Sequence, residues 1–162
     1  MTVRPATPAD VPALTAVYGH HVEHTLATFD LVPPTEADRA AWLAAHPGGR
    51  HRVLVVERDG AVVGFAASGP FRARPAYDAT VETSIYLAPT ATGQGLGRVL
   101  YGGLFDALAG EGLHRAVAVI AQPNPASEAL HRAFGFSHVG TFEEVGRKFD
   151  RWVDVAWFQK EL

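Results

Sequence analysis

The chain has 162 residues, of which 48% are hydrophobic and 19% charged, a balance typical of one folded globular domain. Its net charge of −3 gives no electrostatic reason to expect nucleic acid or an anionic membrane as a partner. The absence of cysteine excludes disulfides, thiolate metal sites and cysteine nucleophiles. We find no basic start followed by an apolar run, and no apolar run near the ~20 residues that span a bilayer. We therefore expect a cytoplasmic protein.

A short strand and two helices are predicted for the first third of the chain. Thr2–Ala6 is typical of a strand, and Pro8 opens a helix in which apolar residues recur at helical spacing. A second helix is predicted over Thr35–Ala45, because Thr35 and Asp38 have the spacing of a capping box.

Three strands follow. Arg52–Glu57 and Ala61–Ser68 are separated by Asp59-Gly60, which predicts a hairpin, and Thr80–Leu87 alternates like a further strand of the same sheet.

Beyond these strands the pattern predicts a helix at Arg98–Ala109, a strand buried on both faces at Ala116–Ala121, a helix at Asn124–Phe134, and two strands at 138–147 and 151–161. We therefore expect an α/β (α+β) domain over residues 1–162, with about four helices around a twisted mixed sheet of about seven strands.

A glycine-rich loop, Thr92–Arg98, lies between a predicted strand and a predicted helix. Alternate glycines let backbone N–H groups converge, and the helix that follows adds its positive dipole end, so the loop can hold a phosphate or diphosphate. A tight strand-to-helix turn without a ligand is the alternative. The spacing does not match a Walker A loop, which needs Gly-Lys-Ser/Thr, or a dinucleotide fingerprint, which needs a third glycine where Arg98 stands.

The central strand, loop and helix, Ser84–Pro89 with Gly93–Arg98, resemble those of the GCN5-related N-acetyltransferases (GNAT). Asn124, Ser127, His131 and Phe134–Phe136 match the spacing of the second half of that family. The resemblance implies acetyl-CoA as co-substrate, no metal, and coenzyme contacts from Ile85, Tyr86, Leu87, Gly93, Gln94, Gly95, Leu96, Gly97, Arg98, Asn124 and Ser127. Thr92 departs from the Arg or Gln usual at the head of the loop, and it could cap the helix instead.

Further segments extend the resemblance over nearly the whole chain, toward the phosphinothricin N-acetyltransferase branch. They are Val17–His20, Thr28-Phe29, Gly69–Arg74, Ala76-Tyr77, Thr80–Tyr86, Leu130-His131 and Gly146–Asp154. Gly19 and Asp150 depart from residues usual in the branch. The resemblance implies acetylation of the amine of phosphinothricin, methionine sulfoximine, methionine sulfone or a related amino acid. It also implies a homodimer, formed near Lys148, Arg151 and Trp152.

Glu82 and His131 are the candidate catalytic residues. Glu82 is the only acid in Thr80–Leu87 and can accept the proton that an ammonium substrate must lose, directly or through water. His131 stands where many relatives carry the tyrosine that protonates the leaving thiolate, and imidazole can donate a proton near neutral pH. Which of the two is the base, and whether His131 is the acid, stays open. A strand-edge salt bridge and a packing histidine are the alternatives.

The candidate substrate-binding residues begin with Arg72 and Arg74, an i, i+2 pair whose guanidinium groups can bind a carboxylate or phosphinate from one side. Solvated surface arginines are the alternative. The resemblance adds Tyr77, Glu82, Thr83, Ser84 and Phe29 to the substrate site. Phe29 is either a pocket wall or a core residue, and the sequence favours the core.

Three other hypotheses remain. The cluster of His20, His21 and His24 supplies an i, i+4 pair that could bind zinc, but no carboxylate or histidine partner is evident at metal spacing. A GNAT domain could also acetylate a protein N-terminus or lysine, against which the paired arginines favour a small anion. A catalytically silent coenzyme-binding module is the third, and Glu82 with His131 argues against it.

Overall fold

The computed structural model of the protein describes residues 1–162. In chain order the elements are β1 (Thr2–Pro5), α1 (Val11–His24), α2 (Glu36–Ala44), β2 (Arg52–Arg58), β3 (Ala61–Pro70), β4 (Thr80–Leu87), α3 (Leu96–Leu108), β5 (Arg115–Ala121), α4 (Pro125–Ala133), β6 (Ser137–Lys148) and β7 (Arg151–Glu161), with 3-10 turns at Pro8–Asp10, Pro75–Tyr77 and Pro89–Ala91. The predicted order of helices and strands is confirmed.

Helix boundaries follow their caps. The Thr35–Asp38 capping box is formed, since the Thr35 N–H donates to Asp38 at 2.9 Å and the Asp38 N–H donates to the Thr35 hydroxyl at 3.1 Å. Helix α3 begins at Leu96, two residues before the predicted start. Gly95 is its N-cap in the left-handed conformation (φ 77°), which glycine adopts without a Cβ clash.

The seven strands form one sheet in the order β1-β2-β3-β4-β5-β7-β6. Every neighbouring pair is antiparallel except β4 and β5, which run parallel. These two pair only from Thr80 with Arg115 to Glu82 with Val117. Beyond that point β5 leaves β4, although each strand continues, so the sheet opens at its centre.

Each face of the sheet packs against a different pair of helices. Helix α3 buries Leu100, Tyr101 and Leu104 in the larger core, together with Val81 and Phe158 of the sheet. Helix α1 buries Leu14 and Val17 on the opposite face, over β2 and β3. Burial of such side chains contributes about 1.5–3 kcal/mol each.

The second face is uncovered over β5, β7 and β6, because α1 and α2 reach only the β1–β4 half. Val119 of β5 is therefore 36% exposed, and the prediction of a strand buried on both faces was wrong. The hairpin of β6 and β7 adds exposed apolar side chains at Val139, Phe142, Val145 and Trp152. None of the helices combines the length and the apolar composition that a bilayer-spanning segment needs.

Candidate active site

A cleft of about 490 Å³ opens where β5 separates from β4. Its walls are the carboxyl half of β4, the glycine-rich loop, the end of β5 and one face of α4. The predicted site residues that line it are Glu82, Thr83, Ser84, Ile85, Tyr86, Leu87, Gly93, Gly95, Gly97, Arg98, Asn124, Ser127 and His131. The fold therefore brings two distant sequence motifs to one cavity, which we call the β4–β5 cleft.

The β4 edge of the cleft carries backbone groups without a strand partner. The Ala88 N–H donates to the Val63 carbonyl at 2.8 Å, so Ala88 directs its N–H toward β3. Alternate residues of an antiparallel strand point to opposite sides, which turns the N–H and C=O of Ile85 and Leu87 toward β5. The Leu87 C=O contacts the His21 side chain at 2.9 Å. Because β5 has moved away at this height, the N–H and C=O of Ile85 and the N–H of Leu87 are free to pair with an extended ligand.

The glycine-rich loop closes one end of the cleft. Gly93 and Gly95 have positive φ values of 72° and 77°, and no atom lies within 4 Å of a Cβ placed on either. The backbone N–H groups there and at the start of α3 can converge on an anion. Thr92 does not cap the helix, because Gly95 is the N-cap and the Thr92 hydroxyl donates to the Pro89 carbonyl at 3.0 Å.

Two predicted coenzyme contacts can come only from the backbone. The Gln94 side chain accepts a hydrogen bond from Arg58 and donates to the Thr90 carbonyl at 2.8 Å, which holds it outside the cleft. The Leu96 side chain is buried in the core under α3. Both residues still belong to the turn that presents the loop amides.

Asn124 and Ser127 begin α4 at the opposite wall. The Asn124 side-chain oxygen caps the helix by accepting from the Ser127 N–H at 3.1 Å. Its amide nitrogen makes no hydrogen bond within the chain, so it remains a donor on the cleft side.

Glu82 lies where the two strands begin to separate. Its side chain shares a strand face with Thr80, Ser84 and Tyr86, as the alternation predicted, and it makes no ion pair or hydrogen bond. Burial raises the pKa of this carboxyl above its ordinary value, while the positive charge of Arg72 partly opposes that shift. A carboxylate with a raised pKa and free oxygens can accept a proton from a bound ammonium.

His131 lies at the inner end of the cleft and is only 3% exposed. Its Nδ1 lies 2.7 Å from the Ser127 carbonyl, which can only accept, so Nδ1 carries the proton. Its Nε2 lies 3.1 Å from the Tyr101 hydroxyl and therefore accepts. Burial lowers the pKa of His131, and both ring nitrogens are engaged within the protein.

Thr83 completes this buried chain of hydrogen bonds. Its hydroxyl lies 2.7 Å from the Tyr101 hydroxyl, and the residue is 3% exposed. Thr83 points to the α3 face of the sheet, opposite Glu82, because side chains alternate along a strand. Its predicted role as a substrate contact is therefore not available to its side chain.

Arg72 lies outside the β4–β5 cleft, beside a second cavity of about 410 Å³ on the uncovered sheet face. The residues that line this cavity include Phe71, Arg72, Val117, Val139, Phe142 and Trp157. The Arg72 guanidinium stacks 4.3 Å from the Phe71 ring centre, and Nη1 donates to the Phe71 carbonyl at 2.8 Å. Four of its five N–H donors therefore remain available to a ligand beside Glu82.

The remaining predicted substrate residues lie farther from the cleft. Arg74 is exposed and its side chain makes no hydrogen bond or ion pair, and Tyr77 packs edge-on against Phe71. Phe29 is 38% exposed and lies directly against Gly146, where a Cβ would overlap its ring. Phe29 is thus a partly exposed side chain that packs against β6 from outside the core. Its interpretation as a core residue was wrong.

Two functional candidates were missed in the sequence. Tyr101 read as an ordinary apolar position of an amphipathic helix, yet its hydroxyl lies 3.1 Å from Nε2 of His131 and can donate to it. His21 entered only as part of a histidine cluster, yet its side chain lines the cleft and contacts the Leu87 carbonyl. No group of three or more His, Cys, Asp or Glu side chains is placed to hold a metal ion.

Comparison with known proteins agrees with this geometry. The model of the acetyltransferase (GNAT) family matches residues 18–136. A phosphinothricin N-acetyltransferase of Streptomyces coelicolor is 52% identical, over 99% of this chain and 95% of that protein.

Two solved structures share the whole fold. A ribosomal-protein-alanine N-acetyltransferase from Brucella melitensis superposes with a TM-score of 0.96 and 41% identity, covering 100% of both chains. A phosphinothricin acetyltransferase from Sinorhizobium meliloti, in complex with acetyl-CoA, superposes with a TM-score of 0.95 and 38% identity, over 99% of this chain and 88% of that one. The family match, the similarity over the full length and the open β4–β5 cleft lead to one conclusion: this chain belongs to the acetyltransferase (GNAT) family and uses acetyl-CoA as its co-substrate.

Proposed function

We propose that the enzyme transfers the acetyl group of acetyl-CoA directly to the α-amine of a small amino-acid-like substrate, such as phosphinothricin, methionine sulfoximine or methionine sulfone. The observation that carries this proposal is Glu82, an unpaired carboxylate at the point where β4 and β5 separate, with the Arg72 guanidinium near it. A substrate with an amine and an anionic group matches that pair of charges.

The cleft residues fit the coenzyme. The amides of Gly93–Gly97 and the start of α3 would hold its diphosphate, Arg98 adds positive charge, and the free β4 edge with Asn124 would pair with its extended arm. When bound, acetyl-CoA supplies an activated thioester carbonyl. The Leu87 N–H points into the cleft and is the proposed donor to the carbonyl oxygen as charge develops on it.

We assign the base to Glu82 rather than to His131. Glu82 has free oxygens facing the uncovered side of the sheet, whereas both nitrogens of His131 are bonded within the protein. Glu82 would take the ammonium proton, directly or through water, and the neutral amine would then attack the thioester carbonyl. As the C–S bond breaks, coenzyme A would leave as a thiolate and take up the proton that the acetylated nitrogen loses. His131 has a structural role instead: it bonds to the Ser127 carbonyl at the start of α4 and to the Tyr101 hydroxyl of α3.

An assay of thiol release from acetyl-CoA tests the proposal. The panel contains phosphinothricin, methionine sulfone, methionine sulfoximine, ordinary free amino acids and short peptides with free N-termini. We expect turnover with the first group. Activity on peptides alone would instead support a protein N-acetyltransferase, and coenzyme binding without turnover on any amine would support a silent binding module.

Arg72→Ala is expected to raise the KM for the amine substrate about tenfold or more, because a charge-assisted hydrogen bond contributes about 1.5–3 kcal/mol. The KM for acetyl-CoA should not change, since Arg72 lies outside the β4–β5 cleft. Steady-state kinetics with each substrate varied in turn measures both values. Arg132→Ala, which removes an exposed arginine of α4, is the control, and an unchanged amine KM in Arg72→Ala would exclude Arg72 from the site.

We also propose that the enzyme acts in the cytoplasm as a homodimer. A second copy would cover the exposed apolar side chains of the β6–β7 hairpin, among them Phe142, Val145 and Trp152. A contiguous exposed apolar surface is typical of an interaction site. Light scattering coupled to size exclusion measures the mass, and a monomer at micromolar concentration would contradict the dimer.

A further inference from the structure

His21 joins α1 to the free edge of β4. Its Nε2 lies 2.9 Å from the carbonyl oxygen of Leu87, the last residue of β4. That carbonyl faces the β4–β5 cleft, where it has no strand partner. Since a carbonyl oxygen can only accept, Nε2 carries the proton and the histidine is the donor.

The other ring nitrogen is also engaged. Nδ1 of His21 lies 3.2 Å from the Thr25 hydroxyl, one helical turn along α1. Burial lowers the pKa of His21; the hydrogen bond to the Leu87 carbonyl opposes that shift, whereas the positive charges of His20 and Lys148 add to it. The ring is therefore held as the neutral tautomer with its proton on Nε2.

The backbone of His21 is held by a residue that lies far from it in the sequence. Lys148, at the end of β6, is 3% exposed, and its ammonium donates to the Thr28 carbonyl at 2.7 Å and to the His21 carbonyl at 3.3 Å. The ammonium thus sits at the carboxyl end of α1, where the helix dipole is negative. These contacts hold the backbone of His21 in place, and with it the point from which the ring reaches Leu87.

The neighbouring histidines make no comparable contact. The His24 ring is 61% exposed and only lies near Glu23 at 3.7 Å, and His20 only stacks against the other two rings. The three histidines look alike in the sequence, but only His21 reaches β4. This contrast within one helix provides a matched control.

We propose that His21 is a positioning residue for the coenzyme. By holding the Leu87 carbonyl toward α1, it keeps that acceptor occupied and fixes the end of β4, so that Leu87 presents only its N–H to the coenzyme arm. Without His21, the carbonyl takes a water molecule inside the cleft, in the space that the arm needs. This inference rests on the proposed coenzyme site in the β4–β5 cleft.

The test is the Kd of acetyl-CoA measured by titration calorimetry, together with both KM values. We expect His21→Phe to weaken coenzyme binding about five- to tenfold, the effect of losing one buried hydrogen bond, with the amine KM unchanged. His21→Gln keeps a side-chain N–H donor and should recover a Kd within about twofold of the wild type. His24→Phe, on the exposed face of the same helix, should bind like the wild type.

An unchanged Kd in folded His21→Phe, or equal losses in the Phe and Gln variants, would overturn the assignment. If His21→Phe does not fold, ¹⁵N spectra of the wild-type histidines decide instead, because a His21 proton on Nδ1 would exclude the bond to Leu87. A different result would show that the proposed coenzyme site itself is wrong. In that case Gly93→Asp would bind acetyl-CoA with the wild-type Kd, regardless of the Kd of His21→Phe.

Discussion

Glu82→Gln is expected to lower kcat by about 10²- to 10⁴-fold, the usual contribution of a general base. Glutamine keeps the shape of the side chain but cannot accept the ammonium proton. Glu82 makes no hydrogen bond or ion pair in the fold, and burial penalises its charged form, so at neutral pH the substitution should leave the free energy of unfolding unchanged or higher. The Kd of acetyl-CoA should also stay the same, because a base for the amine does not bind the coenzyme.

The pH profile gives an independent reading of the same residue. Burial raises the pKa of the Glu82 carboxyl, so the base becomes protonated, and activity falls, at a pH above the range of an ordinary glutamate. The wild-type kcat/KM for the amine should therefore fall as the pH is lowered through the pKa of Glu82. In Glu82→Gln this fall should be absent, and only the pH dependence from ionisation of the substrate amine should remain. If Glu82→Gln retained full turnover, the base would have to be another group.

Gly93→Asp is expected to weaken acetyl-CoA binding about tenfold or more, because it places a carboxylate beside the proposed diphosphate site. A unit charge about 5 Å from a phosphate, at an effective dielectric between those of protein surface and water, costs about 1–3 kcal/mol. The loss should shrink as salt is raised, since ions screen an exposed charge. Titration calorimetry at two ionic strengths measures both effects.

Gly93→Asn is the matched control. Asparagine has nearly the shape of aspartate and tolerates the positive φ of 72° at this position, but it carries no charge. The ratio of the two Kd values therefore isolates electrostatic repulsion from backbone strain. Equal affinities for the Asp and Asn variants would mean that the diphosphate does not lie at this loop.

The sequence predicted the architecture well, since periodicity, caps and turns are local signals. The Thr35 capping box, the Asp59-Gly60 hairpin and the bounds of β4 all appear as expected. The error at β5 has a clear cause. An apolar run shows that side chains avoid water, but whether a helix covers each face depends on distant packing, and no helix covers Val119.

Site residues divide in the same way. The resemblance predicted that Glu82, the glycine-rich loop and Asn124 belong to one site, and all three line the β4–β5 cleft. Their roles stay predictions, which the experiments above test. Thr83 and His131 turned out to be buried partners of Tyr101, which spacing alone could not reveal, because a hydrogen bond between β4, α3 and α4 joins residues far apart in the chain. His21 was indistinguishable from His20 and His24 for the same reason.

By itself the sequence determined the order of elements, the glycine-rich turn and the family, all of which depend on residues close together or on motifs in fixed order. The tertiary structure alone decided that β5 leaves β4 after Glu82 and Val117, which histidine reaches the cleft, and which carboxylate is left unpaired. All three depend on long-range packing. The local sequence pattern allows several environments for each of these side chains, and the strand register and the helices that cover each face of the sheet decide which one is formed.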